Sequence, residues 1–170
     1  MTMPATTAPA DTGMPSRMIR KVEFSVPARL EEVRSIAESL RAFMADGIPP
    51  EARDAIELGI VEALTNVVSH GYAGMHPAAM QLRFEQSQDA AIVELFDTGK
   101  PIPQENLDRD SAAPFEFDPD DLAALPEHGM GLALVRLSFD AVQYQSVDGV
   151  NRLTMAKRFG TSAMDKESDP

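Results

Sequence analysis

The sequence has 170 residues and no cysteine, and its 15 basic and 27 acidic residues give a net charge of −12. This length is sufficient for one domain with a buried core, and the absence of cysteine excludes disulfides, thiol catalysis and thiolate-bound metals. The acidity also argues against nucleic acid or an anionic membrane as a direct ligand, because both require a basic surface on the protein.

The two ends of the chain differ in composition from its middle. Residues 1–17 are rich in Thr, Ala and Pro, residues 161–170 are mostly polar, and both segments are predicted to be disordered. We therefore expect a single domain over residues 18–160. No stretch has the pattern of a signal peptide or of a membrane-spanning helix, which predicts a cytoplasmic protein.

The first half of the domain is predicted to form a strand and two helices. Apolar and polar residues alternate over residues 20–26, as in a half-buried strand. Apolar residues then recur at helical spacing as far as Met44, and Pro27 suits the first turn of that helix. A second helix is expected to begin after Pro50 and to end near Gly71.

The second half is predicted to contain two pairs of strands with a helix between the pairs. Asp148 and Gly149 separate the last two alternating segments, and this dipeptide is typical of a tight hairpin turn. Antiparallel strand pairs with helices between them predict an α+β fold, a two-layer α/β sandwich with a mainly antiparallel sheet. The predicted elements are strands at residues 80–85, 91–96, 141–147 and 150–159, and a helix at residues 129–139.

A long irregular segment separates the two strand pairs. Residues 100–127 contain five prolines, and eight acidic residues against two basic ones, which amounts to half of the net charge. Loops of this length inside a compact domain are usually functional lids or disordered segments, and a solvated acidic insertion is the plain alternative. Its place between a glycine turn and a glycine-rich helix start favours a lid over residues 100–128.

Two polar residues of the second helix could carry chemistry. Glu62 and Asn66 are four residues apart and project from the same side of a helix. Their carboxylate and amide oxygens suit Mg²⁺ binding and proton acceptance. The alternative is an exposed polar stripe on an amphipathic helix, and these two residues alone favour that alternative.

Three further patterns could form parts of a site. Asp97 follows a strand and precedes Gly99, so its carboxylate could accept a hydrogen bond from a flat ligand close to the backbone. Gly129 and Gly131 open a helix and could present backbone N–H groups to a phosphate. Thr154 could point into a site or into solvent. Each pattern also has an ordinary explanation: a strand exit, a glycine-rich helix start and a surface threonine.

Taken in this order, the four patterns resemble the GHKL ATPase family, whose Bergerat nucleotide-binding fold is an α/β sandwich. The run Glu-Ala-x-Thr-Asn-x-x-x-His-Gly-Tyr at residues 62–72 is similar, more narrowly, to the anti-sigma factor serine kinases. The run Asp-x-Gly-x-Pro at residues 97–101 also occurs in that branch. The resemblance covers residues 22–159, which is nearly the whole predicted domain.

The resemblance implies a site for ATP and Mg²⁺. Glu62 would act as the general base toward a serine hydroxyl, and Asn66 would coordinate the Mg²⁺ that bridges the phosphates. Asp97 would accept a hydrogen bond from the adenine amino group, Gly99 would give the base room, and Thr154 would support this contact, partly through water. The further residues that the resemblance places at the nucleotide are His70, His128, Gly129, Met130, Gly131 and Leu132.

The resemblance also implies an activity and its partners. It implies an ATP-dependent serine protein kinase that is also an anti-sigma factor. Such a kinase holds a sigma factor until a STAS-domain anti-anti-sigma protein displaces the sigma factor. The kinase then phosphorylates a serine of the STAS-domain protein. Proteins of this kind regulate transcription, as in stress responses, and often form homodimers. Lys100 is a candidate for a cation at the transferred phosphate. The alternatives are a non-catalytic nucleotide-binding switch that acts only by sequestration, and an acidic domain without a nucleotide site.

Overall fold

Five strands and four α-helices form in the part of the chain that the structure, a computed structural model, describes: residues 20–44, 47–108 and 130–160. The predicted disordered ends, residues 1–17 and 161–170, and the predicted lid beyond Asp108 lie outside the described residues. The strands are β1 (Arg20–Pro27), β2 (Ala79–Gln86), β3 (Ala90–Asp97), β4 (Ala141–Val147) and β5 (Val150–Arg158), and the helices are α1 (Leu30–Phe43), α2 (Pro50–Asn66), α3 (Gln104–Leu107) and α4 (Met130–Ser138).

The five strands form one sheet in the order β1-β2-β3-β5-β4, and all neighbouring strands are antiparallel. The predicted α+β fold is therefore confirmed. The last of the described strands, β5, lies between β3 and β4. Their pairing sets Asp97, at the end of β3, directly opposite Asn151, near the start of β5.

The helices pack on one face of the sheet because alternate strand residues are apolar. Phe84, Val93 and Met155 lie side by side across three strands and are fully buried. Ile60 and Leu64 of α2 are fully buried in the same core. Burial of each such side chain contributes about 1.5–3 kcal/mol. Packing against the sheet therefore determines where α2 lies and which of its side chains remain available.

Helices α2 and α4 approach each other closely at Gly59. A Cβ atom at this position would lie 2.5 Å from Phe139 Cε2 and 2.9 Å from Ser138 Cβ. A larger residue would force the two helices apart, which is costly in a packed interior. The contact therefore holds α4 against the helix that carries Glu62 and Asn66.

The prediction that Pro27 lies in the first turn of α1 is wrong. Pro27 is the last residue of β1, where it pairs with Ala79, and α1 begins at Leu30. Because β1 is at the edge of the sheet, a residue without a backbone N–H is tolerated there.

Helix α2 ends in a π-helical turn, Val67–Gly71, in which the N–H of Tyr72 donates to the carbonyl of Val67 at 3.0 Å. The predicted helix end near Gly71 is thus confirmed. The wider turn brings Gly71 to the end of β3, since a Cβ atom on Gly71 would lie 3.9 Å from Asp97 Oδ1. Turns of this kind occur frequently at functional sites.

Candidate functional site

A first cluster of predicted site residues forms where α2 faces the start of α4. Glu62 and Asn66 are both half-buried on α2. Gly131, in the first turn of α4, lies against them: a Cβ atom there would be 3.3 Å from Glu62 Oε2 and 4.0 Å from Asn66 Oδ1. The two side chains therefore face α4 and do not form an open polar stripe.

A second cluster forms at the end of β3 around Asp97, which is only 7% exposed. Its Oδ1 atom accepts hydrogen bonds from the Gly99 N–H and from Asn151 Nδ2, both at 2.8 Å. Within residues 20–44, 47–108 and 130–160, no donor reaches Oδ2. Oδ2 is not among the buried side-chain atoms that lack a partner, so it is open at the surface of the site and can accept a hydrogen bond from a ligand.

Thr154 does not join the Asp97 cluster. It pairs with Glu94 and Gln143 across the sheet, whereas its neighbours Leu153 and Met155 are buried under the helices. Successive side chains of a strand point to opposite faces, so Thr154 lies on the face turned away from the helices. Sequence reasoning missed Asn151, because only the pairing of β5 with β3 brings it to Asp97.

The face of the sheet that carries Thr154 is polar and charged. Arg152 of β5 pairs with Glu94 of β3. The guanidinium groups of Arg83 and Arg152 lie 4.9 Å and 5.6 Å from the ring centroid of Phe96. Cations stabilise an aromatic ring at such distances, so Phe96 is accommodated on this face without a hydrophobic core beneath it.

The segment after Asp97 is bound directly to the end of α2. A Cβ atom on Gly99 would lie 2.7 Å from the carbonyl carbon and oxygen of Gly71. The Lys100 N–H donates to the Gly71 carbonyl at 2.8 Å, and Lys100 Nζ donates to the Ala73 carbonyl at 2.7 Å. Glycine is thus required at position 99 by the approach of the Gly71 backbone. The ammonium group of Lys100, the candidate cation for the transferred phosphate, is thus hydrogen-bonded to the Ala73 carbonyl in this structure.

Tyr72 reinforces the same contact. Its hydroxyl accepts a hydrogen bond from the Thr98 N–H at 3.1 Å and lies 3.2 Å from Thr98 Oγ1. The ring is buried, with only 5% of the residue exposed. We call residues 71–73 and 98–100 together the α2–β3 junction. Through it, the Asp97 cluster and the Glu62 cluster are parts of one connected structure.

The start of the predicted lid is anchored at two points. The Ile102 N–H donates to the Tyr144 hydroxyl at 2.9 Å, and Arg136 of α4 donates to the carbonyl of Leu107. Burial raises the pKa of Tyr144, and the negative charge of Asp97 acts in the same direction. The Tyr144 hydroxyl is therefore protonated at neutral pH.

The remaining predicted site residues lie on α4, in the π-helical turn, or outside the described residues. Met130 precedes Gly131 and is half-buried, and Leu132 of α4 is buried. His70 lies in the π-helical turn and is exposed. The predicted phosphate contacts His128 and Gly129 lie outside the described residues.

Neither a preformed metal cluster nor a membrane-spanning helix is found in the described ranges. These ranges contain no group of three or more His, Asp or Glu side chains that could hold a metal ion. They also contain no helix that is both long and apolar enough to cross a bilayer. A metal ion at Asn66 would therefore need further ligands from a bound molecule or from water.

The two clusters offer different chemistry to the two ends of a ligand. Asp97 offers a buried acceptor beside a short loop, which suits a flat group with an N–H donor. Glu62 and Asn66 offer a carboxylate and an amide beside the start of a helix, where the dipole favours anionic groups. The α2–β3 junction joins the two clusters. A molecule with an aromatic amine at one end and phosphates at the other fits this pattern.

Comparison with known proteins gives a family match over most of the chain. Residues 26–157 match the family described as "Histidine kinase-like ATPase domain". The chain is 25% identical over 151 residues to the serine-protein kinase RsbW of Bacillus cereus, an alignment that covers 88% of this chain and 92% of that protein. It is 37% identical over 95 residues to the serine/threonine-protein kinase BtrW of Bordetella bronchiseptica, covering 55% of this chain and 62% of that protein.

A solved structure has the same fold. The RsbU and RsbW domains of a Mycobacterium tuberculosis protein superpose on this chain with a TM-score of 0.58 at 16% identity. The superposition covers 82% of this chain but only 32% of that longer chain. At this identity the likeness concerns the fold alone.

Proposed function

Because the chain belongs to the histidine kinase-like ATPase family, we propose that it is an ATP-dependent serine protein kinase and anti-sigma factor. Its proposed substrate is a serine of a STAS-domain anti-anti-sigma protein, and its proposed second partner is a sigma factor that it sequesters in the cytoplasm. The observation that carries the proposal is that Glu62 and Asn66 face the start of α4 together. The serine-kinase names of its relatives support the choice of reaction.

In the proposed reaction, the serine oxygen forms a bond to the γ-phosphorus of ATP while the bond to the leaving ADP oxygen breaks. Glu62 accepts the serine proton. Asp97 accepts a hydrogen bond from the adenine amino group through Oδ2. Phosphoryl transfer depends mainly on positioning and on neutralising phosphate charge. In the proposal, the Asp97 cluster positions the base, and the cluster of Glu62 and Asn66 positions the phosphates and their Mg²⁺.

The residues at the first cluster fit a magnesium–nucleotide complex. Asn66 offers a hard oxygen ligand, and Mg²⁺ in such sites takes its other ligands from phosphates and water. The space beside Glu62 and Asn66 exists because residue 131 has no Cβ. A bound Mg²⁺ would neutralise charge on the phosphate oxygens, and Asn66 would hold it beside Glu62.

The proposal is tested by substitution of the proposed base. We expect Glu62→Ala to lower serine phosphorylation of the STAS-domain partner at least about 100-fold, which is the usual contribution of a general base. Binding of Mg-ATP, measured by calorimetry, should be little changed, because Glu62 is not a proposed nucleotide ligand.

The matched control is Glu51→Ala, which makes the same change at an exposed position in the first turn of α2. It should transfer phosphate at the wild-type rate. Normal transfer by Glu62→Ala would refute the role of Glu62. Binding of Mg-ATP by the wild-type protein without phosphorylation of any partner would instead favour the non-catalytic switch.

A further inference from the structure

Asn151 is a buried polar residue of β5, and it is only 2% exposed. Its Nδ2 atom donates to Asp97 Oδ1 at 2.8 Å and to the carbonyl of Gly99 at 3.0 Å. Both partners are pure acceptors, so only the amide nitrogen can face them. The two N–H bonds of the side chain are therefore both used on the Asp97 cluster.

These two bonds fix the rotation of the Asp97 carboxylate. Oδ1 already receives the Gly99 N–H, and the Asn151 amide adds a second donor to the same oxygen. Rotation of the carboxylate would break both bonds in a buried site. Oδ2 is thereby kept as the acceptor that is turned to the ligand.

The same amide also holds the loop that follows Asp97. The bond to the Gly99 carbonyl ties the α2–β3 junction to the start of β5. A hydroxyl side chain has a single donor and could satisfy only one of the two acceptors. An amide at position 151 satisfies both.

We propose that Asn151 is a positioning residue that sets the base selectivity of the site by holding the Asp97 carboxylate in one orientation. This inference rests on the proposed function, since it takes the ligand to be ATP. Asn151 acts through Asp97. Oδ2 of the Asp97 carboxylate accepts a hydrogen bond from the adenine amino group, and the Asn151 side-chain amide, by holding Oδ1, determines where Oδ2 lies.

The test compares ATP with purine riboside triphosphate, which lacks only the amino group that Asp97 would bind. For the full-length wild-type protein with Mg²⁺, we expect the ratio of the two dissociation constants to be about 10- to 100-fold, the range of a hydrogen bond to a charged group. In Asn151→Leu the ratio should fall to about 3-fold or less, because the carboxylate is no longer oriented. A purely structural defect would weaken both nucleotides equally and leave the ratio unchanged.

Two further variants make the test robust against misfolding. Asn151→Thr keeps one donor and suits a strand, so it should give an intermediate ratio. Gln143→Leu makes the same amide-to-leucine change on an exposed position of β4 and should keep the wild-type ratio. The ratio does not depend on the folded fraction of a preparation.

The possible outcomes separate this inference from the proposed function. A wild-type ratio in both Asn151 variants overturns the role of Asn151 and leaves ATP binding intact. Equal affinity of the wild-type protein for the two nucleotides also overturns it, because Asp97 then does not recognise the amino group. Absence of any nucleotide binding by the wild-type protein refutes the proposed function and this inference with it.

Discussion

At the scale of single residues, Gly131 controls the space in front of the proposed base. A Cβ atom on it would lie 3.3 Å from Glu62 Oε2, so a methyl group there would displace the carboxylate by a few tenths of an ångström. A displacement of that size matters for a proton acceptor, since misplacement of a catalytic group by about 1 Å can cost about 100-fold in rate.

We expect Gly131→Ala to reduce phosphoryl transfer about 10-fold, because Glu62 is displaced, while the free energy of unfolding stays the same or rises by up to about 1 kcal/mol. Single-turnover transfer and chemical denaturation measure the two effects. Gly74→Ala is the control: no atom lies within 4 Å of its Cβ position, but its φ is +73°, so it should lose stability and keep its rate. Full activity of Gly131→Ala would contradict the role assigned to this contact.

The residue scale is also where sequence reasoning succeeded and failed most clearly. Helical spacing predicts that Glu62 and Asn66 lie on one side of α2, and the family resemblance distinguished them from an exposed polar stripe; the structure places both side chains against Gly131. Asn151 was missed because it meets Asp97 only through strand pairing between residues that are 54 positions apart. Alternation along β5 shows which residues share a face but not which strand lies beside it, and Thr154 was assigned only through the family resemblance.

At the scale of elements, the α2–β3 junction is the connection on which the site depends. Its contacts join the π-helical turn of α2 to the loop after β3 through backbone and side-chain hydrogen bonds. The Tyr72 side chain is central, because Tyr72 is buried and its hydroxyl accepts a hydrogen bond from the Thr98 N–H at the partly buried edge of the junction.

We expect Tyr72→Phe to lower the free energy of unfolding by about 1–3 kcal/mol, because the Thr98 N–H loses its partner. Urea denaturation measures this loss, and amide hydrogen exchange at residues 98–100 should accelerate. Thr98→Val is the control: it removes only the side-chain hydroxyl and keeps the backbone donor, so it should cost less. Equal stability of Tyr72→Phe and the wild-type protein would show that the hydroxyl does not hold the junction.

The elements themselves were predicted well where one face is buried. Alternation and helical spacing located all five strands and the three longer helices, since burial against a single core imposes those periods. Pro27 was misassigned because proline suits both a helix start and an edge strand, and local sequence does not reveal which edge a strand occupies. The π-helical turn has no comparable signal in the sequence.

At the scale of the whole molecule, the predicted family and fold are confirmed. The net negative charge is also unevenly distributed along the chain. Half of the net charge of −12 lies in residues 100–127, the segment that was predicted to form a lid and of which residues 109–127 lie outside the described residues. An acidic segment of this composition is complementary to a basic surface on a protein partner.

We expect the affinity for the STAS-domain partner to fall about 10-fold when the ionic strength is raised from about 0.05 M to about 0.5 M, because salt screens exposed charges. The double variant Asp120→Asn/Asp121→Asn should weaken this dependence, measured by surface plasmon resonance. Glu31→Gln/Glu51→Gln makes the same change in charge on α1 and α2 and should leave the dependence as it is. An affinity that does not change with salt would exclude the lid as the docking surface.

The position of β5 in the sheet has a consequence for biosynthesis. Because β5 inserts between β3 and β4, a nascent chain that has emerged only as far as β4 lacks the strand that joins β3 to β4. Asp97 then lacks its Asn151 partner. Non-local pairing of this kind forms late in folding. The Asp97 end of the proposed site is thus completed only after β5 has been made and has paired with β3, so a folding intermediate without β5 is expected to lack an oriented Asp97 carboxylate.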